Sequence, residues 1–290
     1  MIQDYLRAGA ICSEIKKELN SFLKPGKYLL DIANYIEKRI YELGGKPAFP
    51  VNIGVNDITA HYTPTVNDRT RIKEGDLVKI DFGVHVNGCI ADTAFTYCEK
   101  RSEMVEINKR ALDIAISMVK PGTNVADIGK AIEEFVNSNG YGVIVNLTGH
   151  GLKPYDLHAE PTIPNIATNS NYMLRKGDVI AIEPFLCERM SRVKETGIKE
   201  IYSLIKKVNV RMPETRKLLQ YIEMEYKTLP FARRWLCNLL NPVKLNLSLT
   251  VLERTGSIIS YPVLKEINGL PTSQFEESLI VEEKPIVFTR

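Results

Sequence analysis

The chain repeats itself. Lys24-Pro25-Gly26 followed by Asp31-Ile32 returns as Lys120-Pro121-Gly122 followed by Asp127-Ile128, an offset of 96 that Ile36-Glu37 and Ile132-Glu133 share. His61-x-x-Pro64 returns as His158-x-x-Pro161 at an offset of 97, and E-G-D-L-V-K-I-D (Glu74 to Asp81) as K-G-D-V-I-A-I-E (Lys176 to Glu183) at 102. Matches in one order at nearly constant spacing mark an internal duplication, which constrains the fold before any local propensity is weighed. Two halves about an approximate two-fold axis make His158 the partner of His61 and Glu183 the partner of Asp81, and bring all four to one cleft.

Residues 2–22 carry Ile2, Leu6, Ile11, Ile15, Leu19 and Phe22 at helical spacing and stop at Pro25-Gly26, and a second helix over about 28–43 stops at Gly44-Gly45. Lys46 to Pro64 is too rich in Pro, Asn and Gly for a long helix and reads as strand and loop carrying His61. Helices at about 103–119 and 124–138 and an apolar strand, Val143 to Val145, follow in the second half. The predicted class is α+β.

Val78 to Tyr97 holds two β-branched runs around Asn87-Gly88, the strongest short-range signal for a two-residue hairpin turn. Paired positions then sum to 175, so Asp81 faces Ala94 and Asp92 faces Gly83. Because side chains alternate with period two, both aspartates lie on one face of the ladder. Burying two like charges in so apolar a hairpin costs several kcal/mol unless a cation neutralises them. The Asp81-Phe82-Gly83 tripeptide does not indicate a protein kinase, since no Gly-rich phosphate loop precedes it and no H-R-D loop exists.

In the second half no returning arm appears until T-S-Q-F-E-E-S-L-I-V-E, Thr272 to Glu282. A long insertion therefore stands where a hairpin turn would be, and Glu276 or Glu277 takes the place of Asp92. Ile198 to Val208, Pro213 to Tyr226, Phe231 to Leu240 and Lys244 to Thr255 have helical periodicity with Pro and Gly between them. This predicts an inserted helical subdomain over 194–258, with Trp235, Leu239 and Leu240 in its core, on a platform made of 1–193 and 259–290.

His150, in L-T-G-H-G-L, sits between Gly149 and Gly151, which let the backbone approach a neighbour closely. Asp81, Asp92, His150, Glu183 and a C-terminal glutamate give four carboxylates and one imidazole. That is too much negative charge for one divalent ion, and two ions bridged by shared carboxylates are the natural count. The oxygen-rich set excludes a Cys-type structural zinc site, and the imidazole favours Mn, Fe, Co or Zn over Mg²⁺ or Ca²⁺. Two such ions about 3.5–4 Å apart activate a shared water, which points to hydrolysis.

The formal charge of +3 gives no case for nucleic acid, and five cysteines without C-x-x-C spacing read as reduced thiols of a cytoplasmic protein. No run of 18 apolar residues and no signal-peptide layout is present, which argues against membrane insertion and secretion.

These residues and their order resemble the methionine aminopeptidases, specifically the type II branch of the duplicated pita-bread fold. The resemblance spans nearly the whole chain. It is carried by P-A-F-P-V-N (Pro47 to Asn52), A-H-Y-T-P (Ala60 to Pro64), K-I-D-F-G-V-H-V-N-G-x-I-A-D-T-A (Lys79 to Ala94), L-T-G-H (Leu147 to His150), A-I-E-P-F (Ala181 to Phe185), T-L-P-F-A-R-R-W-L (Thr228 to Leu236) and Y-P-V-L-K-E-I (Tyr261 to Ile267). The helical insertion marks type II, and no basic or zinc-binding N-terminal extension stands before it, as in the compact archaeal form.

The resemblance implies that Glu276, which directly follows Gln274-Phe275, is the last metal ligand beside Asp81, Asp92, His150 and Glu183. Glu277 stands where the family commonly has His, and as the next strand residue it is expected on the opposite face. By the same resemblance His158 would donate to the substrate carbonyl or oxyanion, and His61 would position the scissile amide from across the cleft. Glu183 would be the general base and proton shuttle. Phe49 and Tyr261 would line a pocket that suits an unbranched thioether. The implied activity is removal of the initiator methionine from nascent proteins, most readily before a small second residue, by a cytoplasmic monomer with two divalent ions and transient ribosome contact. Two rival readings are a prolidase or aminopeptidase P, which the insertion and the lack of a large N-terminal domain oppose, and a non-catalytic ribosome- or RNA-binding relative, in which metal ligands are lost.

Overall fold

The structure is a computed structural model that describes all 290 residues. The first half runs α1 (Ile2–Phe22), α2 (Leu29–Glu42), β1 (Lys46–Pro47), β2 (Asn52–Val55), β3 (Ile58–Ala60), β4 (Val78–Val86) and β5 (Cys89–Tyr97). The second runs α3 (Glu103–Ser117), α4 (Val125–Ser138), β6 (Gly142–Val143), β7 (Gly149–Lys153), β8 (Asp156–Ile163), β9 (Val179–Ile182) and β10 (Phe185–Cys187). Then come β11 (Val193–Leu204), α5 (Pro213–Glu225), β12 (Phe231–Ala232), α6 (Pro242–Arg254) and β13 (Ile258–Glu266), followed by β14 (Thr272–Gln274), β15 (Glu277–Ile280) and β16 (Ile286–Val287).

The duplication persists down to single hydrogen bonds. Gly26 N donates to Ile72 O and Leu29 N to Thr70 O, at 2.8 and 3.0 Å, while Gly122 N donates to Leu174 O and Val125 N to Tyr172 O, at 2.8 and 3.1 Å. Gly26 and Gly122 have φ of 87° and 86°, the left-handed region that glycine enters without steric cost. Asp76 and Asp178 then tie the turns into β4 and β9 by accepting from Lys73 N and Arg175 N at 2.8 and 2.9 Å.

Helical spacing turns Leu29, Ile32, Ile36 and Ile40 of α2, and Val125, Ile128, Ile132 and Val136 of α4, onto one buried face each. With α1 and α3 they cover the strands in two cores of 24 and 19 buried residues, where each aliphatic side chain contributes about 1.5–3 kcal/mol. The strand faces turned away from the helices remain for a site between the halves.

The hairpin has the expected register, Asp81 opposite Ala94 and Gly83 opposite Asp92. Asn87 and Gly88 take φ of 53° and 90°, as a mirror-image hairpin turn demands. In the second half Ile182 pairs with Glu277 and Phe185 with Gln274, one register on both sides of a gap, so Glu183 and Glu276 face each other where that ladder opens. The two ladders meet edge to edge. Ala94 N donates to Glu276 O at 3.3 Å, Glu276 N to Ala94 O at 2.9 Å, and Asp92 N to Ser278 Oγ at 2.9 Å. Within its own sheet β5 pairs only with β4, and an unpaired edge of N–H and C=O groups is best satisfied by another strand.

Of the stretch 198–208, expected to be helical, residues 198–204 belong instead to the strand β11, which pairs with β13. Val193, Thr196, Ile198 and Ile201 are β-branched, and a partner some sixty positions on in the chain decides a short apolar run that periodicity leaves ambiguous. Phe231 to Leu240, also expected as helix, is a two-residue strand and a 3₁₀ turn, Arg233–Leu236. The helices α5 and α6 fall where expected, each with Pro in its first turn. They pack on β11, β12 and β13 in a third core of 12 buried residues between Tyr202 and Ile258. No helix is long and apolar enough to cross a membrane.

Candidate metal centre

A cavity of about 240 Å³ opens between the halves, and it is lined by Phe49, His61, Asp81, Asp92, His150, His158, Glu183, Tyr261 and Glu276. These are all nine residues singled out from the sequence. One end is acidic. Ligand atoms of Asp92, His150 and Glu276 lie within 4.8 Å of one another and are buried. His150 Nε2 is 3.7 Å from Asp92 Oδ2 and 3.6 Å from Glu183 Oε1, too far for hydrogen bonds.

The tautomer of His150 follows from its other nitrogen. Nδ1 lies 3.2 Å from Gly151 O, and a carbonyl only accepts, so Nδ1 carries the proton and the Nε2 lone pair faces the carboxylates. Burial drives its pKa down to about 3, so the ring is neutral and the contacts with Asp92 and Glu183 are not ion pairs. The flanking glycines show what approaches closely. A Cβ on Gly149 would stand 2.3 Å from Ala181 O, and one on Gly151 2.2 Å from Glu160 O, so β7 is pressed between β8 and β9.

Burial pushes the Asp81 carboxyl up to about 7, against the pull of Gln274 and Asn52, and pushes Asp92, Glu183 and Glu276 well above the usual carboxylate range, each raised further by neighbouring carboxylates. Asp81 Oδ1, Asp92 Oδ1 and Glu276 Oε1 are buried without any hydrogen-bond partner. Orphaned oxygens and crowded carboxyls are two faces of one deficit, and divalent cations remove both. Hard oxygens with one neutral imidazole fit such ions.

Two features escaped the sequence. Gln274 donates its amide to Asp81 Oδ2 at 3.5 Å and to Glu183 Oε2 at 3.3 Å, so one side chain spans carboxylates from both halves. It lies two residues before Glu276, and strand alternation alone would have placed it on the same face. Asn52 faces Asp81 across the β2–β4 ladder and also lines the cavity. Glu277 points out of the cavity, toward Lys16 Nζ at 3.0 Å, Thr289 Oγ1 at 2.5 Å and Arg290 Nε at 3.7 Å. His85, the remaining histidine, accepts from Gly88 N in the hairpin turn at 3.2 Å.

The other end of the cavity is apolar, with Phe49, Leu157, Ile201 and Pro230. Between the ends stand His61, His158 and Tyr261. His61 donates from Nδ1 to Pro262 O at 3.2 Å, which leaves Nε2 free. Tyr261 lies 5.7 Å from His61 and 6.2 Å from His158, and His158 lies 4.8 Å from His150, centroid to centroid. Burial lowers the pKa of His61 to about 4 and lowers that of His158.

The pattern of metallopeptidase family M24 matches residues 3–213. The chain is 46% identical over 291 residues to a methionine aminopeptidase of Pyrococcus horikoshii, covering 99% of each, and 45% identical over 287 residues to that of Thermococcus onnurineus, covering 98% of this chain and 97% of the other. Its backbone is similar to the crystal structure of methionine aminopeptidase from Thermotoga maritima, with a TM-score of 0.73 at 24% identity, covering all of this chain and 96% of that one. That likeness gives the fold, the pita-bread arrangement of two α+β halves.

Proposed function

The chain belongs to metallopeptidase family M24, and we propose that it is a methionine aminopeptidase holding two divalent ions, Mn, Fe, Co or Zn, on Asp81, Asp92, His150, Glu183 and Glu276. The observation that carries this reading is the Asp92, His150 and Glu276 cluster, with its orphaned oxygens, at the acidic end of a cavity whose far end is apolar. Ions of this kind, when bound, polarise a carbonyl and lower the pKa of a water.

The protein groups do the rest. Glu183 takes the proton of the attacking water and returns it to the departing amine, in a carboxylate that Gln274 holds in place. His158 donates to the oxygen that becomes negative in the tetrahedral state, and His61 orients the scissile amide from the opposite wall. The methionine side chain lies along Phe49 and Tyr261, where a flexible thioether fills an irregular apolar space. Removal is fastest when the second residue is small. The setting this reading implies is a cytoplasmic monomer acting on nascent chains in transient contact with the ribosome.

The direct test is release of methionine from a Met-Ala-x peptide after loading with each of Mn²⁺, Fe²⁺, Co²⁺ and Zn²⁺. Turnover with at least one is expected, and none with any of them overturns the proposal. Changing His158 to Ala is expected to lower kcat about 10²-fold, with KM and bound metal nearly unchanged, as for loss of one oxyanion donor; steady-state kinetics with elemental analysis measures both.

A further inference from the structure

Behind the apolar end of the cavity lies a buried ion pair that touches neither the acidic cluster nor the cavity. Glu37, on the apolar face of α2, is 8% exposed, and Arg234, in the 3₁₀ turn after β12, is 9% exposed. Arg234 Nη2 bonds Glu37 Oε1, and Arg234 Nη1 donates to Thr63 Oγ1 at 2.5 Å. Trp235 Nε1 donates to Glu37 Oε2 at 2.9 Å, Val51 N to Glu37 Oε1 at 3.4 Å, and Thr63 Oγ1 to Val51 O at 2.8 Å. The network closes on itself and ties three separate segments to one helix.

Each tied segment carries a cavity wall. Val51 is two residues after Phe49, Thr63 two after His61, and Arg234 four after Pro230. Desolvating two charges costs several kcal/mol per ion, and an apolar pair of similar volume would hold the same helix at least as firmly. What an apolar pair lacks is direction. A planar guanidinium meeting a carboxylate and a hydroxyl fixes the angles of its partners as well as their separation.

We propose that Glu37, Arg234, Thr63 and Trp235 form a positioning clamp that sets the width of the apolar end of the cavity, and with it the choice of substrate side chain. The proposal rests on the reading of that end as a methionine pocket. None of the four touches substrate. They act through Phe49 and Pro230, so their loss falls on binding and selectivity, while metal content and the chemical step stay as they were.

Trp235 is the sole tryptophan of the chain, so the clamp reports on itself by fluorescence. The metal-loaded Arg234→Lys and Glu37→Gln variants are compared with the parent on Met-Ala-x and Leu-Ala-x peptides, with metal content measured alongside. KM for Met-Ala-x is expected to rise about tenfold with kcat within about threefold, and the Met over Leu preference to fall about tenfold, the scale of discrimination an apolar pocket supplies. Titrating the parent with free L-methionine is expected to shift Trp235 emission, and the variants are expected to lose that shift. Parent-like KM and preference in both variants overturn the clamp, as does a fall in kcat at constant KM. If neither variant folds, the parent titration decides, and unchanged emission at saturating methionine overturns the proposal. Failure of the peptidase reading looks different, because there the parent itself turns over no peptide.

Discussion

Changing Glu276 to Gln is expected to lower kcat at least ~10³-fold and reduce the metal bound per chain, whereas the same change one residue on, at Glu277, leaves turnover within about tenfold. The two glutamates are neighbours with the same side chain, so chemistry does not separate them. Direction does. Glu276 is 2% exposed with Oε1 unpartnered beside Asp92 and His150. Glu277 leaves the other face of the strand and is held by Lys16 and Thr289, with Arg290 nearby. Removing the Glu277 charge leaves Lys16 short of a partner in a part-buried place, a loss of about 1–3 kcal/mol. At roughly 2–4 °C per kcal/mol, the Glu277→Gln protein is expected to melt several degrees lower with its metal still bound. Metal analysis, kinetics and calorimetry on the two variants decide. A Glu277→Gln protein that loses metal as Glu276→Gln does would show that strand alternation fails at this edge of the site.

That contrast also marks how far the sequence could be read. The Asn87-Gly88 turn was enough to put Asp81 and Asp92 on one face, because a two-residue turn fixes the register of both arms and period two does the rest. The repeat was enough to bring Glu183 and His158 to the same cavity. Choosing Glu276 over Glu277 needed the family resemblance, since nothing within the strand says which face is the inner one until its partner is known. The edge-to-edge joint through Ala94 and Glu276 is a pairing between strands 182 positions apart, and no local preference encodes it. For a similar reason helical periodicity does not foretell the strand over 198–204, as its partner β13 lies beyond two helices. Trp235 read as plain core. It does pack against the third core, but its indole N–H reaches Glu37, 198 positions away, and polar contacts of that range leave no periodic trace.

Chelation of the metal is expected to abolish turnover while leaving a folded chain whose stability falls as the pH rises. Without a cation the folded state keeps protons that the unfolded state gives up. Asp81 is held at about 7 against an ordinary 3.8, and burial with neighbouring carboxylates holds Asp92, Glu183 and Glu276 well above the usual carboxylate range. Stability from groups with raised pKa is complete below about pH 4 and is lost as the pH rises through the folded value. The histidines act in the opposite sense. His61 and His85 are lowered to about 4, His150 to about 3, and His158 is lowered as well, so their contribution is present above about pH 6.5 and is lost as the pH falls below it. Between about pH 4.5 and 6.5 the two sets largely offset each other. Above about pH 6.5 the histidines are neutral in both states and the raised carboxyls remain, opposed above about pH 7 by the buried Lys79 ammonium, whose pKa burial lowers from 10.5 to about 7, so the metal-free protein loses stability there. Each proton held in excess is worth about 1.4 kcal/mol per pH unit, or roughly 3–5 °C in Tm. A bound cation holds the same carboxyls ionised and removes this slope, and its binding must therefore release protons and tighten with pH. Calorimetry of loaded and chelated protein from pH 5.5 to 8.5 is expected to show the two melting temperatures diverging above pH 6.5. Curves that converge, or a chelated protein that gains stability toward pH 8.5, would mean that the four carboxyls are not the groups that hold the metal.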